Sequence, residues 1–266
     1  MRKLGVSVVK NESTDIYKQI PMIKASGFDC FFFSYQDGID VGRICQIAEE
    51  QNLEIETVHL PFSKMNSMWE NKQEGTDYLN YLCGIIAECA SHGITKAVLH
   101  ITVHTIAPPV SDVGIKRFKE LFAFAQNQKV HLCVENLEPQ PHLQVIMDML
   151  PDYHGFCWDC GHNLCYTPLD DMMDRFGDRL LCTHIHDNRG ISCPGDVHYR
   201  DDLHLLPFDG NLNWQWFADK IKNSDYMGPL TLELSLKSMD EYSKMPLQEF
   251  FNDAYRRGCK LISMTK

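Results

Sequence analysis

Six histidines and five acidic residues recur at intervals that one reactive site could use. In chain order they are His59, in Val58-His59-Leu60-Pro61-Phe62, and His100, in Val98-Leu99-His100-Ile101. Glu135 follows, beside Asn136, and then Asp159 with His162 three residues on. His184-Ile185-His186-Asp187, Asp202-Leu203-His204 and Glu233 complete the series. Taken singly, each has a bland reading: a histidine near a strand end is usually a hydrogen-bonded structural residue, and a glutamate is often salt-bridged. Taken together they differ, because burying this many carboxylates without a cation would be very costly. A divalent metal removes that cost, and mixed imidazole and carboxylate ligands suit zinc, manganese, cobalt or iron better than calcium or magnesium. Asp202 and His204 stand just before Pro207 and Gly210, which restrict and then turn the chain. With His162 as a third ligand and water as a fourth, that pair would form an open zinc site of the catalytic kind.

Other signals weigh less. Cys157-Trp158-Asp159-Cys160 has redox-motif spacing, but the segment reads as the end of a strand with no thioredoxin-like context. His104, His131, His142, His154 and His198 have no evident partners and read as surface or structural residues. Trp69, Trp214 and Trp216 read as packing residues, with Phe62 and Trp69 as alternative walls of a pocket.

Residues so far apart in sequence meet only if a repeating architecture brings them to one place. Short β-rich runs alternate with longer amphipathic segments about eight times. The strand candidates are Leu4–Val9, Phe28–Ser34, Ile55–Leu60, Ala97–Ile101, Val130–Glu135, Gly155–Asp159, Leu180–His186 and Leu230–Leu234. Most are apolar throughout, as parallel strands buried on both faces are. Helical periodicity fills the gaps. Thr76–Ser91 sets Tyr78, Leu82, Ile85, Ile86 and Cys89 near one face, with Gly93 as a stop; Lys116–Gln126 and Leu247–Gly258 are similar. The alternation predicts a parallel α/β fold. No Gly-x-Gly-x-x-Gly turn is present, so a closed (β/α)8 TIM barrel is favoured over a dinucleotide-binding sheet. The length of 266 residues is close to the roughly 250 typical of that barrel, and residues 1–266 are expected to form a single domain. In such a barrel the C-terminal strand ends share one active site, and every candidate residue above falls at such an end or in the loop after it. The longest irregular stretch, Asp187 to Asn213, carries the Asp202 pair, and a loop of that length in a compact domain is often functional.

Composition narrows the function classes. Hydrophobic residues make up 44% and charged residues 23%, which is ordinary globular composition. The formal net charge of −11 disfavours a nucleic-acid partner, since that affinity comes largely from Lys and Arg neutralising phosphates. Eleven cysteines, mostly inside apolar runs such as Cys30-Phe31-Phe32-Phe33, read as small buried hydrophobes. No apolar run is long enough for a transmembrane helix, and polar Lys10 and Asn11 come too early for a signal-peptide core. A reduced, cytoplasmic protein is expected, with its oligomeric state open.

The ordered pattern His, His, Glu, Asp-x-x-His, His-x-x-Asp, Asp-x-His, Glu resembles the xylose-isomerase-like TIM-barrel superfamily, which includes sugar isomerases, ketose 3-epimerases, inosose dehydratases and endonuclease IV. The resemblance covers nearly the whole chain. It implies a divalent transition metal (zinc, manganese or cobalt) held by Glu135, Asp159, His184 and Glu233. His184 is preferred to His186 because His184 and Asp187 fit His-x-x-Asp, although both histidines would face the same side of the strand. His162 resembles the family's substrate-binding histidine; His186 and Arg189 are further substrate-binding candidates, Arg189 at an offset one residue shorter than in ketose epimerases. In endonuclease IV three zinc ions are bound, and its extra ligands fall on His59, His100, His162, Asp202 and His204, so one to three ions are implied. Phe208 and Asp209 replace the Gly and Glu of the usual Gly-Glu-Gly turn. Two functions follow. One is an isomerase or epimerase of a sugar or sugar phosphate, working through an enediolate with Glu135 and Glu233 as acid and base. The other is an endonuclease IV-like zinc phosphodiesterase acting on abasic DNA. The acidic charge, and the lack of a basic cluster in the site loops, favour a small sugar substrate.

Overall fold

Eight short parallel strands curl into one sheet: β1 (Leu4–Ser7), β2 (Cys30–Ser34), β3 (Glu54–His59), β4 (Lys96–Leu99), β5 (His131–Glu135), β6 (Gly155–Asp159), β7 (Leu180–His184) and β8 (Leu230–Leu232). The computed structural model describes residues 2–11, 13–193 and 195–266. Neighbours in sequence are neighbours in the sheet, and β1 also pairs with β8. The circle closes just beyond β7. There Ile185 N–H donates to Thr231 O at 2.9 Å and accepts, through its own carbonyl, from Glu233 N–H at 3.0 Å. This is a (β/α)8 TIM barrel.

Helices α1 (Ile16–Ser26), α2 (Val41–Glu50), α3 (Gln73–Ser91), α4 (Asp112–Asn127), α5 (His142–Met149), α6 (Cys160–Tyr166), α7 (Met172–Phe176), α8 (Trp214–Lys222), α9 (Asp240–Lys244) and α10 (Leu247–Met264) follow the strands. Two run past their expected ends for local reasons. In α4 the Ser111 hydroxyl accepts from Gly114 N–H and starts the helix earlier than Lys116. In α10, Leu261 and Ile262 continue the buried face beyond Gly258. Several strands end sooner than the apolar runs do, β7 at His184 rather than His186. Beyond His184, Ile185 still bridges to β8, and His186 is the first residue of that run past the barrel's closing bonds.

The main apolar core lies between strands and helices, while a separate small cluster, Val98, Cys133, Cys157 and Cys182, fills the barrel interior. The interior cysteines are free and buried, and burial pushes the Cys157 and Cys182 thiols well above their usual range. A register shift between β2 and β3 skips Glu56, and such bulges re-aim a side chain. The Glu56 carboxylate is buried, bonded by the Thr231 hydroxyl and 3.6 Å from Lys96 Nζ. Sequence periodicity gave no sign of this buried pair.

Candidate metal centre

The strand ends deliver their side chains to one place. Glu135, at the end of β5, is fully buried among imidazoles. His184 Nδ1 lies 2.8 Å from Glu135 Oε1, His100 Nε2 2.9 Å and His59 Nε2 3.3 Å from Oε2. His184 Nδ1 is also 2.9 Å from Glu233 Oε2, so one imidazole nitrogen sits between two carboxylates. Asp159, at the end of β6, is anchored by backbone and side chain alike. Asn136 donates to its carbonyl at 2.8 Å and accepts from its N–H at 2.9 Å. His162 N–H donates to Asp159 Oδ1 at 2.6 Å, which makes Asp159 the N-cap of α6. Asn136 was passed over in the sequence, although it adjoins Glu135.

Ligand atoms converge in three groups: Glu135, Asp159, His184 and Glu233; His59, Glu135 and His184; and His162, His186, Asp202 and His204, each within 4.8 Å of one another. Two observations indicate that these groups fit a cation. First, His184 Nε2 is buried with no hydrogen-bond partner, and Glu135 Oε2 is buried beside two imidazole nitrogens without an aligned hydrogen bond, a costly state that native structures rarely leave unexplained. Second, three imidazoles are held by one nitrogen and present the other. His59 Nδ1 faces Leu60 O at 2.9 Å, His162 Nδ1 faces Asn136 O at 2.9 Å, and His204 Nδ1 faces Glu233 O at 3.3 Å. A carbonyl can only accept, so each Nδ1 carries the hydrogen and each Nε2 is turned to the acidic cluster, as in metal-ligating histidines.

The charges are strongly interdependent. Burial works against ionising Glu135, yet the neighbouring His184 holds its carboxyl well below the usual range. Glu233 is lowered in the same way, burial again being overcome by His184. Burial disfavours a proton on His184, but Glu233 and Glu135 raise its affinity well above normal. Asp202 Oδ2 lies 2.9 Å from His204 Nε2 and 3.2 Å from His162 Nε2. Against burial, Asp202 lifts His204 to about 9.

One expectation needs correction. Arg189 is exposed, and among the described residues only its backbone carbonyl is hydrogen-bonded, by Asn211; no contact brings it to the cluster. Trp69 takes the packing role expected of it rather than the alternative of a pocket wall: it is buried, donating to Ile101 O at 2.7 Å and packing on Phe118. Phe62 does line the mouth, 39% exposed and stacked on His100 with centroids 4.2 Å apart. His186 joins the cluster through Asp159, its Nε2 being 3.0 Å from both carboxylate oxygens.

The family model described as xylose isomerase-like TIM barrel matches residues 20–252. An uncharacterized protein of Sinorhizobium fredii, y4fM, is 33% identical over 135 residues, which is 48% of this chain and 40% of that protein. The matched segment thus spans well under half the length of that curated relative. A crystal structure of IolI protein with a bound zinc atom superposes with a TM-score of 0.80 at 14% identity, covering 99% of both chains. A D-psicose 3-epimerase crystallised in the presence of D-fructose gives 0.73 at 14% identity, again covering 99% of each. At such identities the likeness is one of fold.

Proposed function

The chain belongs to the xylose isomerase-like TIM barrel family, and from that premise we propose that it is a metal-dependent isomerase or epimerase of a sugar or sugar phosphate. The observation that carries this reading is the placement of Glu135 and Glu233 on either side of His184 Nδ1. Two carboxylates facing one centre suit proton exchange on the two faces of a carbon next to a carbonyl. Glu135, Asp159, His184 and Glu233 would hold the ion. A divalent ion there supplies Lewis-acid polarisation of the substrate carbonyl. Glu233 is 18% exposed at its side chain while Glu135 is fully enclosed, so Glu233 is the carboxylate that substrate meets first. It is ionised at neutral pH, as a general base must be. Glu135 acts from the other side, with His59 and His100 beside its Oε2 as routes for a proton. Phe62 offers an apolar wall beside them.

The resemblances to zinc-bound IolI and to a sugar epimerase support this reading without fixing the substrate. Solvent deuterium exchange into a panel of ketoses and ketose phosphates tests it. Exchange is expected with the wild type and a fall of about 100-fold or more with Glu233→Gln, in the range of a lost general base. Absence of exchange from every sugar would count against it.

A second reading is favoured by one specific observation. His59 and His100 gather on Glu135, and His162, Asp202 and His204 form a further group of ligand atoms, an arrangement that supports a reading with more than one ion. Cleavage of an abasic duplex at low enzyme concentration, without sugar exchange, would favour the phosphodiesterase.

A further inference from the structure

His186 lies among the grouped ligand atoms, yet its hydrogen bonds set it apart from the other imidazoles. Its Nδ1 faces not a carbonyl but the Asn188 amide nitrogen, 3.4 Å away. That amide cannot be turned round, because its oxygen accepts from Leu203 N–H at 2.5 Å. A donor opposite Nδ1 leaves the hydrogen on Nε2. Nε2 in turn points at both oxygens of Asp159 at 3.0 Å, and carboxylate oxygens accept. The ring is also clamped. On one side, a Cβ added to Gly161 would lie 2.1 Å from His186 Cε1, and on the other His204 stacks at 3.9 Å and 14°. His59, His162 and His204 therefore keep a hydrogen on Nδ1 and offer Nε2 as the nitrogen a cation can take, whereas His186 turns an Nε2–H to Asp159.

We propose that His186 is a positioning residue that fixes the Asp159 carboxylate for the metal, and that Asn188 ties this placement to the loop after β7. The inference rests on the metal reading above. Leu203 lies between Asp202 and His204, so the backbone bond that orients Asn188 forms only when that stretch is in place. Loop, amide, imidazole and carboxylate form one chain of contacts ending at a metal ligand.

Nitrogen NMR of zinc-loaded protein with 15N-labelled histidine reads the hydrogen directly. A His186 ring protonated at Nε2 and bare at Nδ1 is expected. A hydrogen on Nδ1 with a metal-shifted Nε2 would overturn the proposal and make His186 a ligand. Equilibrium dialysis with zinc gives the second readout. His186→Leu is expected to keep the wild-type number of ions per chain while weakening affinity about 10–100-fold, the usual effect of losing a ligand's orienting partner. His186→Gln, which keeps an N–H donor, should recover much of that loss. Loss of one ion in His186→Gln, or wild-type affinity in His186→Leu, would overturn the proposal. Should His186→Leu fail to fold, the NMR of the wild type still decides. If the wild type binds no divalent ion, the metal reading itself falls and takes this inference with it; if ions bind and only the hydrogen is misplaced, the metal reading stands.

Discussion

His184 sits between Glu135 and Glu233 with its affinity for protons raised, and His204 beside Asp202 is raised to about 9. These nitrogens must lose their protons before they can bind a metal. The sign follows: raising the pH removes the competing protons, so apparent metal affinity should climb with pH through neutrality, His204 being freed at about 9 and His184 only above its own raised range. Calorimetry in buffers of different ionisation enthalpy should find protons released on binding near neutral pH. Affinity independent of pH up to that point would contradict the arrangement. Removal of a ligand is simpler to read. Asp159→Ala and Glu233→Ala should each lower bound metal in dialysed protein, and full wild-type content in both would remove the assignment. The ligand candidates were legible in sequence because they end apolar runs in a fixed order. The division of labour proposed for His184 and His186 was not. A strand's period of two sends both inward, and only the tertiary contact with Asn188 distinguishes them.

The loop of residues 187–213 gathers four of its closing hydrogen bonds on one buried side chain. Asp187 accepts from the N–H groups of Asn188 and Leu212 at 2.9 Å, from Phe208 N–H at 3.0 Å, and from Trp214 Nε1 at 3.1 Å. Gly210 lies so close that an added Cβ would sit 2.3 Å from Asp187 Oδ1. The motif aspartate that helped select His184 thus works on the loop rather than on the cation. In this loop His204 and Phe208 adopt φ of 50° and 78°, a conformation that costs on the order of 1–3 kcal/mol per residue and persists only under firm constraint. Phe208 occupies the place of the family's usual glycine, and its ring packs on Trp214 and under Lys260. Asp187→Asn would turn an acceptor into a donor facing buried N–H groups, at a cost of about 1–3 kcal/mol for each group left unpaired. Limited proteolysis should then cut within residues 189–201 at protease levels that spare the wild type; equal resistance would show that the loop is held elsewhere. Strand identity was readable from apolar runs, but loop closure was not, since it depends on backbone donors that no residue pattern reports.

At the scale of the whole molecule, charge separates the two proposed chemistries. No helix among the described residues is long and apolar enough to cross a membrane, and the chain carries a formal net charge of −11. The cations near the mouth are few and partly engaged: Lys64 pairs with Glu74 at 3.7 Å, and Arg189 is exposed, with no ion pair among the described residues. A protein that neutralises several phosphates on duplex DNA loses affinity steeply with salt, with log K falling at about 0.9 per phosphate against log salt. The site loops carry no basic cluster in sequence to produce that slope. Binding of an abasic duplex to the metal-loaded protein, followed by fluorescence anisotropy across a salt series, should therefore be weak, with a slope of about two phosphates or fewer. A nuclease that grips its substrate by the backbone requires a larger one. A steep slope together with tight binding would mean that local cations outweigh the acidic total, and the phosphodiesterase reading would then take precedence. A flat slope leaves a small sugar as the substrate: a neutral one meets no electrostatic penalty from the acidic chain, and a singly phosphorylated one meets that of one phosphate rather than of a whole duplex backbone.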